Sequence, residues 1–231
     1  MPLERRYLPP KALDSIFTHF YEATNGSQQS YAKQLFPSLQ TKLVLDLGTP
    51  TPFTLDSGNQ AEIEKYMIIG PSKRVIKYNM VPASHIFVAN FNMDGFYRLF
   101  SCSPPRRLTR EYNQFQTYHP CILDLHQQLQ NEPDPQNYLA ILSQICLQYL
   151  SRRHPVADLL DRPIANNLSP IKSVARQTSL SERHLQTIHK AQFGFTAKEA
   201  LRYRRFSNLI KYMELLSVTM LHRKIQRGFQ K

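Results

Sequence analysis

The chain has 231 residues, enough for one large or two modest domains without staples. It carries 29 Lys+Arg against 17 Asp+Glu, unevenly spread: residues 1–150 hold 13 basic and 12 acidic side chains, residues 151–231 hold 16 and 5. Three cysteines at irregular spacing exclude a paired disulfide framework, the N-terminus lacks the apolar core of a signal peptide, and no apolar run reaches the ~18 residues of a membrane span.

A cytoplasmic protein in a reducing compartment is therefore expected. The basic last third attracts polyanions, nucleic acid first and an anionic membrane second, against the plain reading of a solvated basic surface.

Taken in order, residues 9–22 (PPKALDSIFTHFYE) place Leu13, Ile16, Phe17 and Phe20 at i, i+3, i+4 and i+7 behind prolines that suit a first turn, which predicts a short amphipathic helix. From the Gly/Ser/Gln break at Asn25 to Ser30 as far as Met93 the period is two. Strands are predicted at Lys42–Leu47, Tyr66–Ile69, Arg74–Met80 and His85–Asn92, each bounded by turn residues such as Gly48-Thr49-Pro50 and Gly70-Pro71. They predict a sheet, a sandwich or a barrel. Phe87 and Phe91 are expected in its interior, as the wall of a small-molecule pocket or as filled core.

Gly95–Cys102 predicts one or two helical turns, and Ser103-Pro104-Pro105-Arg106-Arg107 a break. Helices follow at Cys121–Gln130 and Pro135–Arg152, the second with a wide apolar stripe through Leu139, Leu142, Ile145 and Cys146. Residues 153–168 are polar and interrupted by proline, and read as a linker.

With 7 Gly against 16 Pro, phosphate-cradling loops are not expected. His119, Cys121 and His126 fit no compact zinc spacing, and His85 is the sole histidine on a predicted strand, so no metal and no cofactor is expected. No motif places a Ser/His/Asp or Cys/His arrangement, and Glu62 and Glu64 fall in a polar segment. An enzyme is not expected.

Ser169 is a good N-cap, with Pro170 at the first helical position and Ile171, Val174 and Ala175 on one face. After a turn at Gln177 to Leu180, Ser181 is a second N-cap, and the helix it opens runs to Gly194, a residue suited to the left-handed position past a helix end. Leu185, Ile188, His189 and Phe193 predict its buried side. Arg183, Gln186, Thr187 and Lys190 recur at i, i+3, i+4 and i+7 on the other, the arrangement with which a helix enters the major groove. Thr196 and Glu199 form a capping box for a long helix carrying Arg202, Arg204 and Arg205, which lack acidic neighbours other than Glu199 and suit phosphate contact.

The run from Ile171 to Met213 resembles the first half of the DNA-binding domain of AraC/XylS-family transcriptional regulators. That resemblance implies that a recognition helix at residues 181–192 reads double-stranded DNA, with Arg183, Gln186 and Thr187 at the base-contacting positions. The front half, through Tyr7-Leu8-Pro9-Pro10, Leu43–Gly48 and Ile68–Ser72, resembles the sensor-type domain that precedes this module in one branch of the family. The resemblance implies a cupin-like barrel that senses a small molecule or forms a homodimer.

The expected fold class is thus α+β. A mostly antiparallel β domain with flanking helices (1–152) is followed by a linker (153–168) and an all-α helix-turn-helix domain (169–231). Two departures from the family pattern stand out. His189 replaces an aromatic core residue, either altering the packing or filling the site as a neutral ring. Glu214–Lys231 does not match the second helix-turn-helix of the family, and reads as a truncated end that frays or as an extension in which Leu209, Met213, Leu216 and Met220 form a dimer seam. Two functions are expected in competition: a sequence-specific regulator, or a ligand-binding or dimerising remnant with weak, non-specific DNA binding.

Overall fold

The computed structural model describes residues 3–54, 57–105, 120–161 and 170–209. Among them, β1 (Leu3–Tyr7), β2 (Phe17–Thr24), β9 (His85–Phe91), β4 (Lys42–Asp46) and β7 (Tyr66–Ile69) form one sheet, in that order. A second sheet runs β3 (Tyr31–Leu35), β8 (Ile76–Met80), β5 (Thr51–Thr54), β6 (Gln60–Ile63). Every pairing is antiparallel.

The first sheet is a middle layer. Alternation along β4 and β9 sends Leu43, Leu45, Phe87, Ala89 and Phe91 to one side and Val44, Ile86 and Val88 to the other. On the first side lie helices α1 (Gly95–Phe100), α2 (Pro120–Asn131) and α3 (Tyr138–Tyr149), the last entered through a 3-10 turn at Pro135–Asn137. On the second side lies the other sheet, contributing Phe53, Ile63, Ile76 and Met80.

Two expectations are corrected and one open alternative is decided. The two sheets keep separate hydrogen-bond ladders and do not close into a barrel; period-two patterning reports faces, and leaves open which edges pair. Residues 9–22 hold no helix. A single turn, in which the Phe17 N–H donates to the Leu13 carbonyl at 3.0 Å, leads into β2. There Phe17 pairs with Phe91 and His19 with Asn90, so Thr18 is an inserted bulge residue. The bulge puts Phe17 and Phe20 on the same face three residues apart, which imitates a helical period, and it places His19 on a strand. Of the two readings left open for Phe87 and Phe91, pocket wall or filled core, the second holds: both are fully buried, Phe91 4.8 Å from Phe17 and 5.5 Å from Phe96 between ring centroids, with a residual space of only about 10 Å³ beside it.

Residues 155–161 of the expected linker form helix α4 (Pro155–Asp161), with Val156, Ala157 and Leu160 buried. Three apolar residues at i, i+1 and i+4 suffice to seat two turns, too short a pattern to stand out beside the prolines. Residues 162–168, Arg106, Arg107, His119, the N-cap Ser169, and Ile210 with all that follows it, including the seam residues Met213, Leu216 and Met220, lie outside the described residues.

Because Phe91 joins the aromatic cluster of the sheet to that of α1, its truncation leaves a cavity where both elements meet. Phe91→Ala is expected to lower stability by about 3–5 kcal/mol, read as a reduced midpoint in urea denaturation.

Candidate nucleic-acid interface

Helices α5 (Pro170–Thr178) and α6 (Glu182–Phe193) and the helix of residues 197–209 (α7) follow one another through short turns. Ser179, at φ 56°, turns the chain between the first two. Ser181 caps α6 as expected: its backbone is extended and its hydroxyl oxygen accepts from the His184 N–H at 3.2 Å. At the other end Gly194 sits at φ 76° and donates its N–H to the Lys190 carbonyl at 3.0 Å. A Cβ there would also meet the Pro104 ring at 2.9 Å, so both conformation and space call for glycine.

The capping box of α7 is formed in both directions. The Thr196 N–H donates to Glu199 Oε2 at 2.8 Å and the Glu199 N–H to Thr196 Oγ1 at 3.2 Å. Glu199 also pairs with Lys73, from the turn between β7 and β8. Burial raises the Glu199 carboxyl, but the Lys73 ammonium and the Thr196 donors outweigh it and bring the group down to about 2.

The inward side of α6 packs Leu185, His189 and Phe193 against Ile171 and Val174 of α5, the buried residues of α4, and Phe195. Ile188 is only half-buried, at the margin of this cluster, and Gln192 is buried where no functional or core role was expected of it. His189 fills the aromatic position as a ring. It stands 4.6 Å from Phe193 and 5.5 Å from Phe195, both edge to face. Its Nδ1 donates to the Phe195 carbonyl at 2.8 Å. Burial pulls the imidazole below its ordinary value, against the opposing pull of that carbonyl, which fits a neutral ring.

Arg183, Gln186, Thr187 and Lys190 are all exposed, and helical geometry at 3.6 residues per turn confines them to an arc of about 100°. The side chains of Arg183, Gln186 and Lys190 hold no hydrogen bond or ion pair to a described residue. The Thr187 hydroxyl donates to the Arg183 carbonyl at 3.1 Å. These four are brought together; the three arginines of α7 are not. Arg202 and Arg205 are exposed and neighbouring on the wheel, whereas Arg204 points well away from Arg202 and is half-buried.

Helices α5 to α7 are also fastened to the rest of the chain in ways the sequence did not announce. Arg153 spans Asp94, in the turn before α1, at 2.8 Å, and Asp158 and Asp161 of α4, at 2.6 and 2.8 Å. Leu39 and Met93 pack against the buried cluster of α4–α7. Among the described residues no three His, Cys, Asp or Glu side chains are grouped to hold a metal; His126 instead donates to the Asp46 carbonyl at 2.6 Å. No described helix is long and apolar enough to cross a membrane.

No protein-family model matches the chain, and no curated protein matches it. Similar solved structures are the AraC-like transcriptional activator CuxR (10% identity, 90% of this chain and 86% of that one, TM-score 0.30) and a Cupin_2 domain of an XRE family transcriptional regulator from Enterobacter cloacae (7% identity, 39% and 95%, TM-score 0.31). The iron(II) form of HppE is similar at 10% identity over 39% of this chain, TM-score 0.31, and the chain spans 50% of its length. At these TM-scores the similarities carry no inference about the chemistry of this chain.

A base pulled down by burial favours the unfolded state in acid. The ordinary imidazole value is 6.5, so the contribution of His189 is complete above that pH. It is lost as pH falls below it, with a slope of up to ~1.4 kcal/mol per pH unit for one proton. In His189→Phe that slope should vanish between about pH 6.5 and the carboxylate range, as followed by urea midpoints at a series of pH values.

Proposed function

We propose that this chain is a DNA-binding transcriptional regulator of AraC type, acting in the cytoplasm without catalytic activity. The observation that carries the reading is α6: capped at both ends, held by Leu185, His189 and Phe193, and presenting Arg183, Gln186, Thr187 and Lys190 on a single exposed arc. In the major groove an arginine pairs two donors with the O6 and N7 acceptors of guanine, and a glutamine matches adenine. Arg183 and Gln186 take those roles, residues 181–192 enter the groove, and Thr187 and Lys190 complete the contact.

Arg202 and Arg205 are phosphate contacts in this reading, which fix register without reading sequence. Arg204, on another side of α7, contributes as charge near the backbone. The N-terminal part is a cupin-like sensing unit, opened into two sheets, that takes a small-molecule effector or supports a homodimer.

A second reading follows from a single described helix-turn-helix, which neutralises fewer phosphates than a pair: a ligand-binding or dimerising module that holds DNA weakly and non-specifically. Few neutralised phosphates mean low affinity, all of it electrostatic and therefore lost as salt rises, with a slope smaller than that of a two-reader protein. Selection of bound genomic fragments near physiological salt separates the two. A shared short sequence supports the regulator, while retention that is sequence-independent and salt-sensitive supports the alternative.

On the selected sequence, Arg183→Ala or Gln186→Ala should cost about 1–3 kcal/mol and relax preference at one base position. Arg202→Ala or Arg204→Ala should weaken all sequences alike. Unchanged binding by both kinds of variant in a fluorescence-anisotropy titration would remove α6 from the interface.

A further inference from the structure

We infer that the space between the two sheets binds a small amphipathic anion, a carboxylate head on an apolar body, and that Lys42 receives the head. The inference rests on the reading of the N-terminal part as a ligand-binding unit and is independent of DNA binding by α6.

The space is a cavity of about 520 Å³, within the range of small-molecule sites. Strand register gives it two ends. Lys42 of β4 pairs with Asn90 of β9, which pairs with His19 of β2, so these three side chains form one row across adjacent strands. In the next row that faces the same way, Val44 pairs with Val88 and with Met67, and Val88 with Tyr21. Phe53 and Ile76 of the second sheet close over that row. One end is therefore polar and cationic, and the body is mainly apolar, with the hydroxyl-bearing Tyr21, Thr51 and Tyr78 also on its wall.

Lys42 is the group in need of a partner. It is 7% exposed on a strand flanked by two others, and its ammonium makes one hydrogen bond, to the Gln40 carbonyl at 3.3 Å. A buried ammonium needs a counter-charge, and the acids nearby are committed elsewhere. Glu4, the acid among the lining residues, is paired with Lys33. Asp46, on the same face of β4, accepts from the Thr51 and Gly48 N–H groups. Burial pulls Lys42 down to about 8, leaving it mainly charged at neutral pH. Burial also lowers His19, and Arg6 and Lys42 lower it further, so the same end carries an excess of positive potential.

The lining selects among anions. A sugar or a polyol would meet no row of paired donors and acceptors along the body. A nucleotide would bring several charges to an end that offers one buried ammonium. A single carboxylate with an aliphatic or aromatic body satisfies both ends, and its charge-assisted bond to Lys42 supplies the missing partner.

The test is calorimetric titration of the purified full chain with medium-chain aliphatic and phenylalkyl carboxylates, each against its own primary amide, with DNA retention measured on the same samples. Carboxylates should bind at least about tenfold tighter than their amides and raise the melting temperature. Lys42→Met should abolish that preference while raising the ligand-free melting temperature, because a buried charge is replaced by an isosteric apolar chain. Lys42→Arg should keep the preference, which separates a lost anion contact from a misfolded sheet. Equal binding of carboxylate and amide by the wild-type chain, or a preference that survives in Lys42→Met, overturns the assignment of the head group. Binding of neither class overturns the ligand cavity altogether, and the parallel DNA measurement stands or falls by itself.

Discussion

Strands β4 and β9 are covered on both faces, and each face has to satisfy what the alternation sends to it. Toward the helices the residues are Leu43, Leu45, Phe87, Ala89 and Phe91, and aromatic packing with α1 and α3 fills the space. One carboxylate is buried on that side, Glu22 of β2, and it is satisfied by the Tyr7 hydroxyl and by His85 Nε2 at 3.0 Å. Toward the second sheet the interior is left partly open, and the buried ammonium of Lys42 has a single carbonyl. The contrast between a buried acid with two partners and a buried base with one is what distinguishes the filled side of this sheet from the open one.

The parts of this fold that were legible in the sequence are those decided locally. Ser181, Gly194 and the Thr196–Glu199 pair act on groups within four residues of themselves, so cap chemistry alone located both ends of α6 and the start of α7. The strands at 42, 66, 76 and 85 were legible because their apolar residues alternate or run together. By contrast β1 reads Leu-Glu-Arg-Arg-Tyr and is largely exposed, and β5 is four residues that begin Thr-Pro, with Phe53 as the one large apolar residue of its buried face, so neither has an apolar stripe to betray it. They are strands because a partner's backbone is there, a long-range fact.

The cavity between the sheets was illegible for a related reason. Phe87 and Phe91 are bulky and share one face of a strong strand with Ala89 between them, which draws attention to the face that turns out to be solid. The open face carries Val44, Val88 and Lys42, and a lysine within an alternating strand reads as an outward residue at a solvent edge. Only the pairing of β4 between β9 and β7, with a second sheet across from it, turns that lysine inward and buries it. The bulge at Thr18 disguised β2 in the same manner, since one inserted residue converts a period of two into a spacing of three.

How helices α5 to α7 are held against the sheets can be decided by magnitude. The pair between Lys73 and Glu199 joins the β7–β8 turn to the α7 cap, but the Lys73 side chain is 72% exposed, and such a pair contributes about 0–1 kcal/mol. Arg153 is different. It is only partly exposed and bonds three carboxylates, one of them, Asp94, almost wholly buried, so losing it strands a carboxylate in the interior. The apolar cluster adds Leu39 and Met93 from the sheet side to the buried residues of α4 through α7. The placement of α6 is therefore set by α4, Arg153 and apolar contact, with Lys73 adjusting it. The turn that carries Lys73 is bounded by Ile69 and Ile76, both of which line the space between the sheets. Both kinds of contact therefore share a chain segment with the cavity: the weak one through the turn of Lys73, and the apolar one through Leu39, which lies between the lining residues Ser38 and Gln40.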